Sequence, residues 1–357
     1  MTKPPTSVFF SKQVSDVVKN LSLGRFSKIF LLADTNTLEN CWPLLAGHLP
    51  EFREEVEILE VPPGEGSKCI EVATQLWATL IELGADRQSV LINLGGGMIT
   101  DLGGFIASTY KRGIAFYNIP TSVLGQVDAA IGGKTGIDLG ALKNQIGTFA
   151  SPESTIISTE FLSTLPDREL RSGLSEMIKH GLIGSSLLFE QTEELGELTP
   201  ETVSSLIEEA ARVKMVIAEN DPLEKGERKK LNFGHTFGHA IESISLESQE
   251  PLTHGEAVAV GMMLESLLSK EKLYLSDAES KRIEKALVKF FPGPLKKKFE
   301  RQVVWSIMQH DKKNVSGKVN CTLLKSIGTA SIDNEISEKE FKNVWSQFEN
   351  FQKWISE

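Results

Sequence analysis

The stretch SVLINLGGGMITDLGG, residues 89–104, decides the fold. Ser89 to Leu94 is a short apolar run of the buried-strand type. It ends in three consecutive glycines, Gly95, Gly96 and Gly97, and reopens as a segment with helical spacing. A strand that turns on glycine into a helix lets the backbone approach a pyrophosphate. The free N–H groups and positive dipole of the helix start then face the anion. The spacing departs from the dinucleotide fingerprint, because Thr100 stands where its third glycine belongs, and the turn follows a late strand. A tight turn that binds nothing is the plain alternative. Asp101 reads as a helix-start residue that either favours the dipole or holds a ribose or nicotinamide amide.

Outward from this turn, strand-like and helix-like segments alternate. Lys28–Ala33 is an apolar run that stops at the turn Asp34–Asn36. Val56–Val61 alternates and stops at Pro62-Pro63-Gly64, and Ala115–Ile119 ends at Pro120. Helical stretches lie between them, over 69–83 and 101–111. This alternation predicts a mostly parallel sheet flanked by helices. From about Thr164 the pattern becomes helical, over 166–184, 200–219, 230–248, 254–272, 276–289 and 338–354, with one β-like patch near 319–324 and a breaker at Phe291-Pro-Gly-Pro294. The fold class is therefore an α/β N-terminal nucleotide-binding domain, residues 1–160, plus a mostly α-helical C-terminal domain for metal and substrate, residues 161–357. The active site is expected in the cleft between them.

The totals narrow the function. The chain has 357 residues, 40% hydrophobic content and a net charge of −10, enough for two cores and unsuited to general nucleic-acid binding. Cys41, Cys69 and Cys321 form no CxxC, which fits a reducing compartment. The opening residues lack the apolar core of a signal peptide, and no stretch has a membrane helix's length of apolar residues. A cytoplasmic protein is expected, with no nucleic-acid or membrane partner.

Three of the six histidines, His235, His239 and His254, fall within twenty residues. His235 and His239 are four apart and share a helix face. Glu176, on an earlier helix, adds a carboxylate. Imidazole and carboxylate suit a catalytic zinc with open positions. Four candidates exceed the usual three ligands, so one histidine is left for acid–base or outer-sphere work. The plain alternatives are core histidines and a helix-surface ion pair between Glu176 and Lys179; His180, next in the chain, either replaces Glu176 as ligand or is unrelated. Two lysines and an asparagine, Lys134, Lys143 and Asn144, lie among small residues and suit a substrate phosphate. Arg228 and Asn232, four apart, lead onto the His235 helix as a carboxylate-binding cation and an amide; Lys214 and Glu224 read equally well as surface charge.

GGGMITDLGGFIASTYKRG (95–113), PTSVLGQVDAAIGGKTG (120–136), KNQIGTF (143–149), GLSEMIKHGL (173–182), LNFGHTFGHAIE (231–242) and HGEAVAVGM (254–262) resemble, in order, the motifs of the 3-dehydroquinate synthase family of sugar-phosphate cyclases. The resemblance implies conversion of 3-deoxy-D-arabino-heptulosonate 7-phosphate to 3-dehydroquinate and phosphate, a shikimate-pathway step. It implies NAD, Zn2+ or alternatively Co2+, and a homodimer. It assigns the metal to Glu176, His235 and His254. It assigns catalysis to His239, Lys134, Lys179 and Asn144. Substrate contacts fall to Arg112, Lys134, Lys143, Asn144, Lys179, Lys214, Arg228, Asn232 and Lys312, with Arg112 reaching into a neighbouring subunit. NAD contacts fall to Asp34, Asn36, Glu65, Lys68, Gly95, Gly96, Gly97, Asp101, Thr121, Ser122, Asp128, Lys134, Lys143, Phe161, Thr164 and Leu165. One departure is visible: Ala129-Ala130 stands where the family more often has two serines. The competing readings are another sugar-phosphate cyclase, a metal-dependent polyol dehydrogenase of the glycerol dehydrogenase type, and a non-catalytic nucleotide-binding protein.

Overall fold

The structure, a computed structural model, describes residues 7–49, 54–140, 142–272, 275–309 and 318–355. The chain divides into two compact units, Met1–Pro166 and Asp167–Glu357. Among the described residues no helix is long and apolar enough to cross a membrane.

The first unit carries a six-stranded sheet. Its strands are β1 (Ser7–Ser11), β2 (Ile29–Asp34), β3 (Val56–Val61), β4 (Val90–Gly95), β5 (Ala115–Pro120) and, after a hairpin of β6 (Lys134–Leu139) and β7 (Leu142–Phe149), β8 (Ser154–Ser158). The spatial order is β1-β8-β5-β4-β2-β3 and every pairing in it is parallel. Alternation along each strand feeds both faces. Phe30, Leu32 and Leu91 enter one core with Leu102, Phe105 and Ile106 of the helix Gly97–Thr109. Ile29, Leu31, Val90 and Ile92 enter the opposite core with Val14, Val17 and Phe161. The parallel α/β sheet is the fold class expected. β1, β8 and the hairpin were not legible in the sequence.

The second unit is largely helical, also as expected. Its centre is the helix His254–Glu271, with fourteen buried residues covering every side. Glycine sets how closely its neighbours approach. A Cβ on Gly255 would sit 1.9 Å from Ser172 O of the helix Asp167–Gly184, and one on Gly261 would sit 1.9 Å from Gly234 O. The segment expected to be helical over 200–219 divides into Pro200–Ser204 and Ile207–Asn220. That expected over 230–248 shortens to His235–Ser245, because residues 227–232 form a 3-10 turn and Gly234 adopts φ +80°. The β-like patch is one strand of an antiparallel hairpin, Val319–Ser326 with Thr329–Ile336.

Candidate active site

In the first unit, topology gathers the residues expected to meet a nucleotide. β2 lies between β3 and β4, so the chain leaves β2 in one direction and resumes at β4 in the other. In such sheets ligands settle outside the carboxyl ends of the strands at this reversal. The turn after β4 therefore stands beside the turn after β2, and its late place in the chain is no objection to a nucleotide site. Asp34 closes β2 and caps the helix Thr35–Asn40, its carboxylate accepting from Thr37 N at 2.9 Å. Asn36 lies exposed in that helix. Glu65 and Lys68 follow β3, Gly95–Gly97 follow β4, and Thr121, Ser122 and Asp128 follow β5. Gly96 is bare for a reason: its Cβ would come within 3.1 Å of Ser122 Oγ. The 3-10 turn Thr159–Thr164 follows β8, the neighbour of β5, with Leu165 next.

One expectation there needs correcting, the place of Asp101. Asp101 is not at the helix start, because the helix begins at Gly97; one turn in, it receives Lys68 Nζ at 2.6 Å. Phe161 has its ring fully buried in the hydrophobic core, so only its backbone is presentable. Lys68, itself buried, also donates to Asn144 Oδ1 at 2.6 Å. Burial works against its charge, but Asp101 and Glu65 outweigh it and raise its pKa above the ordinary lysine value. Asn144 is held at φ +53°, and its N–H donates to Asp138 Oδ1 at 2.6 Å. Lys134 begins β6 and is exposed, Lys143 is half-buried on β7, and these three polar residues thus belong to one hairpin. Arg112 is exposed in a run of three positive φ values, Lys111 at 48°, Arg112 at 69° and Gly113 at 115°.

In the second unit, three elements bring together Glu176, His235 and His254. Glu176 lies fully buried on the helix Asp167–Gly184, His235 is the first residue of His235–Ser245, and His254 is the first of His254–Glu271. Glu176 Oε1 is 3.6 Å from His235 Nε2 and 3.4 Å from His254 Nε2. Ligands about 2.0–2.1 Å from a tetrahedral ion stand about 3.3 Å apart, so these donors are spaced to share one. The far nitrogens are also held. His235 Nδ1 donates to Phe233 O at 3.1 Å, and His254 Nδ1 faces Glu242 at 3.5 Å. Such outer partners fix the tautomer that leaves Nε2 to a metal. Burial opposes charge on His254, but Glu242 and Glu176 on its two sides outweigh that and lift its pKa to about 10. The two carboxylates that flank His254 give the site negative potential, which also suits a dication. One carboxylate with two oriented imidazoles fits Zn2+ or a similar ion.

His239, the fourth candidate, groups with Glu242 and His254, and Glu176 is not in that group. Its ring centroid is 5.2 Å from that of His235. Lys179 is in contact with Glu176 Oε2, and both side chains are buried, so the pair is no surface ion pair. His180 is buried with Nδ1 at 3.0 Å from Ala210 O. Lys214 and Arg228 are buried as well. Arg228 and Asn232 do not share an α-helical face, since they sit in the 3-10 turn ahead of Gly234. Asp221 shapes the approach to that turn, accepting from Lys225 N, Gly226 N and Arg228 N, while Asn232 Nδ2 donates to Glu224 Oε1 at 3.1 Å. Lys312 lies outside the described residues. Sequence reasoning missed Glu242 and Glu265. The available signal was a carboxylate within an otherwise apolar helical run, which needs a buried partner.

Comparison with known proteins gives a consistent picture. The model described as 3-dehydroquinate synthase N-terminal matches residues 58–172, and that described as 3-dehydroquinate synthase C-terminal matches residues 173–314. A 3-dehydroquinate synthase of Parabacteroides distasonis is 40% identical over 332 residues, covering 91% of this chain and 92% of its own. One from Clostridium perfringens strain 13 is 42% identical over 286 residues, covering 80% and 81%. Among solved structures, a 2-epi-5-epi-valiolone synthase from Streptomyces hygroscopicus subsp. jinggangensis 5008, with NAD+ and Zn2+ bound, superposes with a TM-score of 0.86 at 24% identity, covering 98% of both chains.

Proposed function

Because the chain belongs to the 3-dehydroquinate synthase family, we propose that it converts 3-deoxy-D-arabino-heptulosonate 7-phosphate to 3-dehydroquinate and inorganic phosphate, as an NAD- and metal-dependent carbon–oxygen lyase acting as a homodimer. The observation that carries the metal dependence is the convergence of Glu176, His235 and His254 at ligand spacing. NAD+ and Zn2+ in the valiolone synthase support the same pair of cofactors.

When bound, the dication would supply Lewis acidity towards substrate hydroxyls and NAD would supply reversible hydride acceptance, chemistry that allows phosphate elimination with no net redox change. The residues of the chain supply the rest. Glu176, His235 and His254 would hold the ion, with Glu242 and Phe233 O keeping each Nε2 aimed. Asp34, the Gly95–Gly97 turn and Asp101 would hold the nucleotide, with Lys68 fixing Asp101 in place. Arg112, Lys134, Lys143 and Asn144 would bind and neutralise the phosphate. Arg228 and Lys214 would grip the carboxylate, with Asn232 beside them, selecting one reactive conformer. Lys179 would neutralise charge at Glu176, and His239 would move the proton through its imidazole.

The test is phosphate release from the seven-carbon substrate before and after complete removal of metal by chelator. Loss of turnover that Zn2+ or Co2+ restores is expected; an equal rate without metal rejects the mechanism. Net accumulation of NADH with a polyol would instead identify a dehydrogenase of the glycerol dehydrogenase type.

A further inference from the structure

The helix that begins with His235 lacks the cap its sequence ought to supply. Its N-cap residue is Gly234, at φ +80°, which has no side chain to receive the free N–H groups of the first turn. No other residue fits there, since a Cβ would lie 2.6 Å from Met262 Cγ and 3.0 Å from Val258 O. The missing acceptor comes from another helix. Glu265, with no exposed surface, accepts from Gly234 N at 2.7 Å through one carboxylate oxygen and from Thr236 N at 3.2 Å through the other. These two amides flank His235. Glu265 stands about three turns along the helix that His254 begins. One buried carboxylate on the helix of one candidate ligand therefore grips the start of the helix carrying the other. The backbones at this crossing are already in close approach through Gly261 and Gly238.

We propose that Glu265 is a positioning residue for the metal centre: by capping the His235 helix from the His254 helix, it fixes the separation and tilt of the two imidazoles. A buried carboxylate is costly, and two charge-assisted bonds to a helix N-terminus compensate it. An apolar residue would fill the volume as well, but it would leave the first turn uncapped and the histidine pair free to spread. The inference rests on the metal reading above.

The test uses the full chain stripped of metal and titrated with Co2+, following its visible d–d absorption. Glu265→Gln keeps one acceptor, Glu265→Ala keeps none, and Ser269→Ala perturbs the same helix elsewhere by removing the acceptor of Leu324 N. Expected is a loss of Co2+ affinity of about 10- to 100-fold in Glu265→Ala, with a changed band shape and an intermediate loss in Glu265→Gln. Ser269→Ala should melt earlier yet bind Co2+ as the wild type does. Wild-type affinity and band shape in both Glu265 variants would overturn the proposal. In the metal-free protein, amide exchange at Gly234 and Thr236 should accelerate in Glu265→Gln. A wild type that takes up no Co2+ rejects the metal reading, and the exchange rates then decide separately whether the capping tie exists, unchanged rates overturning it.

Discussion

Replacing Gly261 by alanine sets two opposing effects against each other at the crossing of the two histidine-bearing helices. In the interior of a helix, alanine is favoured over glycine by about 1 kcal/mol, which alone would stabilise the protein. At position 261 the new Cβ would meet Gly234 O at 1.9 Å, Gly238 N at 2.7 Å and Gly234 C at 2.9 Å. An ordinary contact begins at 3.4 Å, so the nearest pair falls short by about 1.5 Å. All three atoms are backbone, and no rotamer change relieves them. The helices have to part at the crossing where Gly234 and Gly238 leave no room for a Cβ against Met262 and Val258. Overpacking of this kind costs about 3 kcal/mol or more at its upper end, leaving a net loss of about 2 kcal/mol. For a unit of this size that is a fall in Tm of about 4–8 °C. Parting the helices also separates His235 from His254, so Zn2+ affinity should fall with the melting temperature. The assay is a thermal melt with and without Zn2+, alongside Gly196→Ala, a site where nothing lies within 4 Å of the added carbon and little change is expected. A Gly261→Ala protein that melts at or above the wild-type temperature and binds Zn2+ normally would refute the claim that backbone contact sets this crossing.

Three further outcomes are expected. His235→Ala should lose the metal, while His239→Ala should retain it and lose turnover; metal content by atomic emission decides, and an empty site in His239→Ala would favour the alternative His239, Glu242 and His254 grouping. Lys68→Met removes the buried ammonium that holds Asp101 and Asn144, so urea unfolding should show a loss of about 2 kcal/mol, under the full cost of breaking a buried pair because Asp101 is partly exposed, and NADH titration should show weaker binding. Glu340 sits in the capping box of the helix Glu338–Trp354; although burial opposes its charge, Lys272 and the Ser337 N–H lower its pKa to about 2. A depressed carboxylate contributes stability above its unfolded value, near 4.5, and loses it as pH falls towards 2, so Glu340→Gln should flatten that part of the Tm profile; an unchanged acid slope would remove Glu340 from the account.

Much of the architecture was legible because burial writes itself into periodicity. Ile29–Asp34 and Val90–Gly95 are buried on both faces and read as continuous apolar runs. The 18-residue helix after Thr253 has a complete capping box and reads from end to end. The hairpin Lys134–Phe149 was illegible for the opposite reason. Most of β7 is exposed, and its register rests on features that carry no apolar pattern, namely the Thr135–Thr148 hydroxyl contact at 2.7 Å and the bare pair Gly136 and Gly147. β1 and β8 are five residues each, too short for a period to show.

By itself the sequence determined which chemical groups the chain possesses and which face of each element is apolar, because both follow from residue identity and local spacing. It also determined the family, through motifs whose order and composition are dense. Tertiary structure alone decided which groups share a point in space. The β2–β4 reversal sets the Gly95–Gly97 turn beside Asp34, the meeting of three helices sets Glu176 within 3.6 Å of two imidazoles, and Glu265 supplies a cap that Gly234 lacks. Distances between residues far apart in the chain depend on how helices and strands pack, and at the crossing of the two histidine-bearing helices that packing includes close backbone approach at glycine, to which no sequence period corresponds.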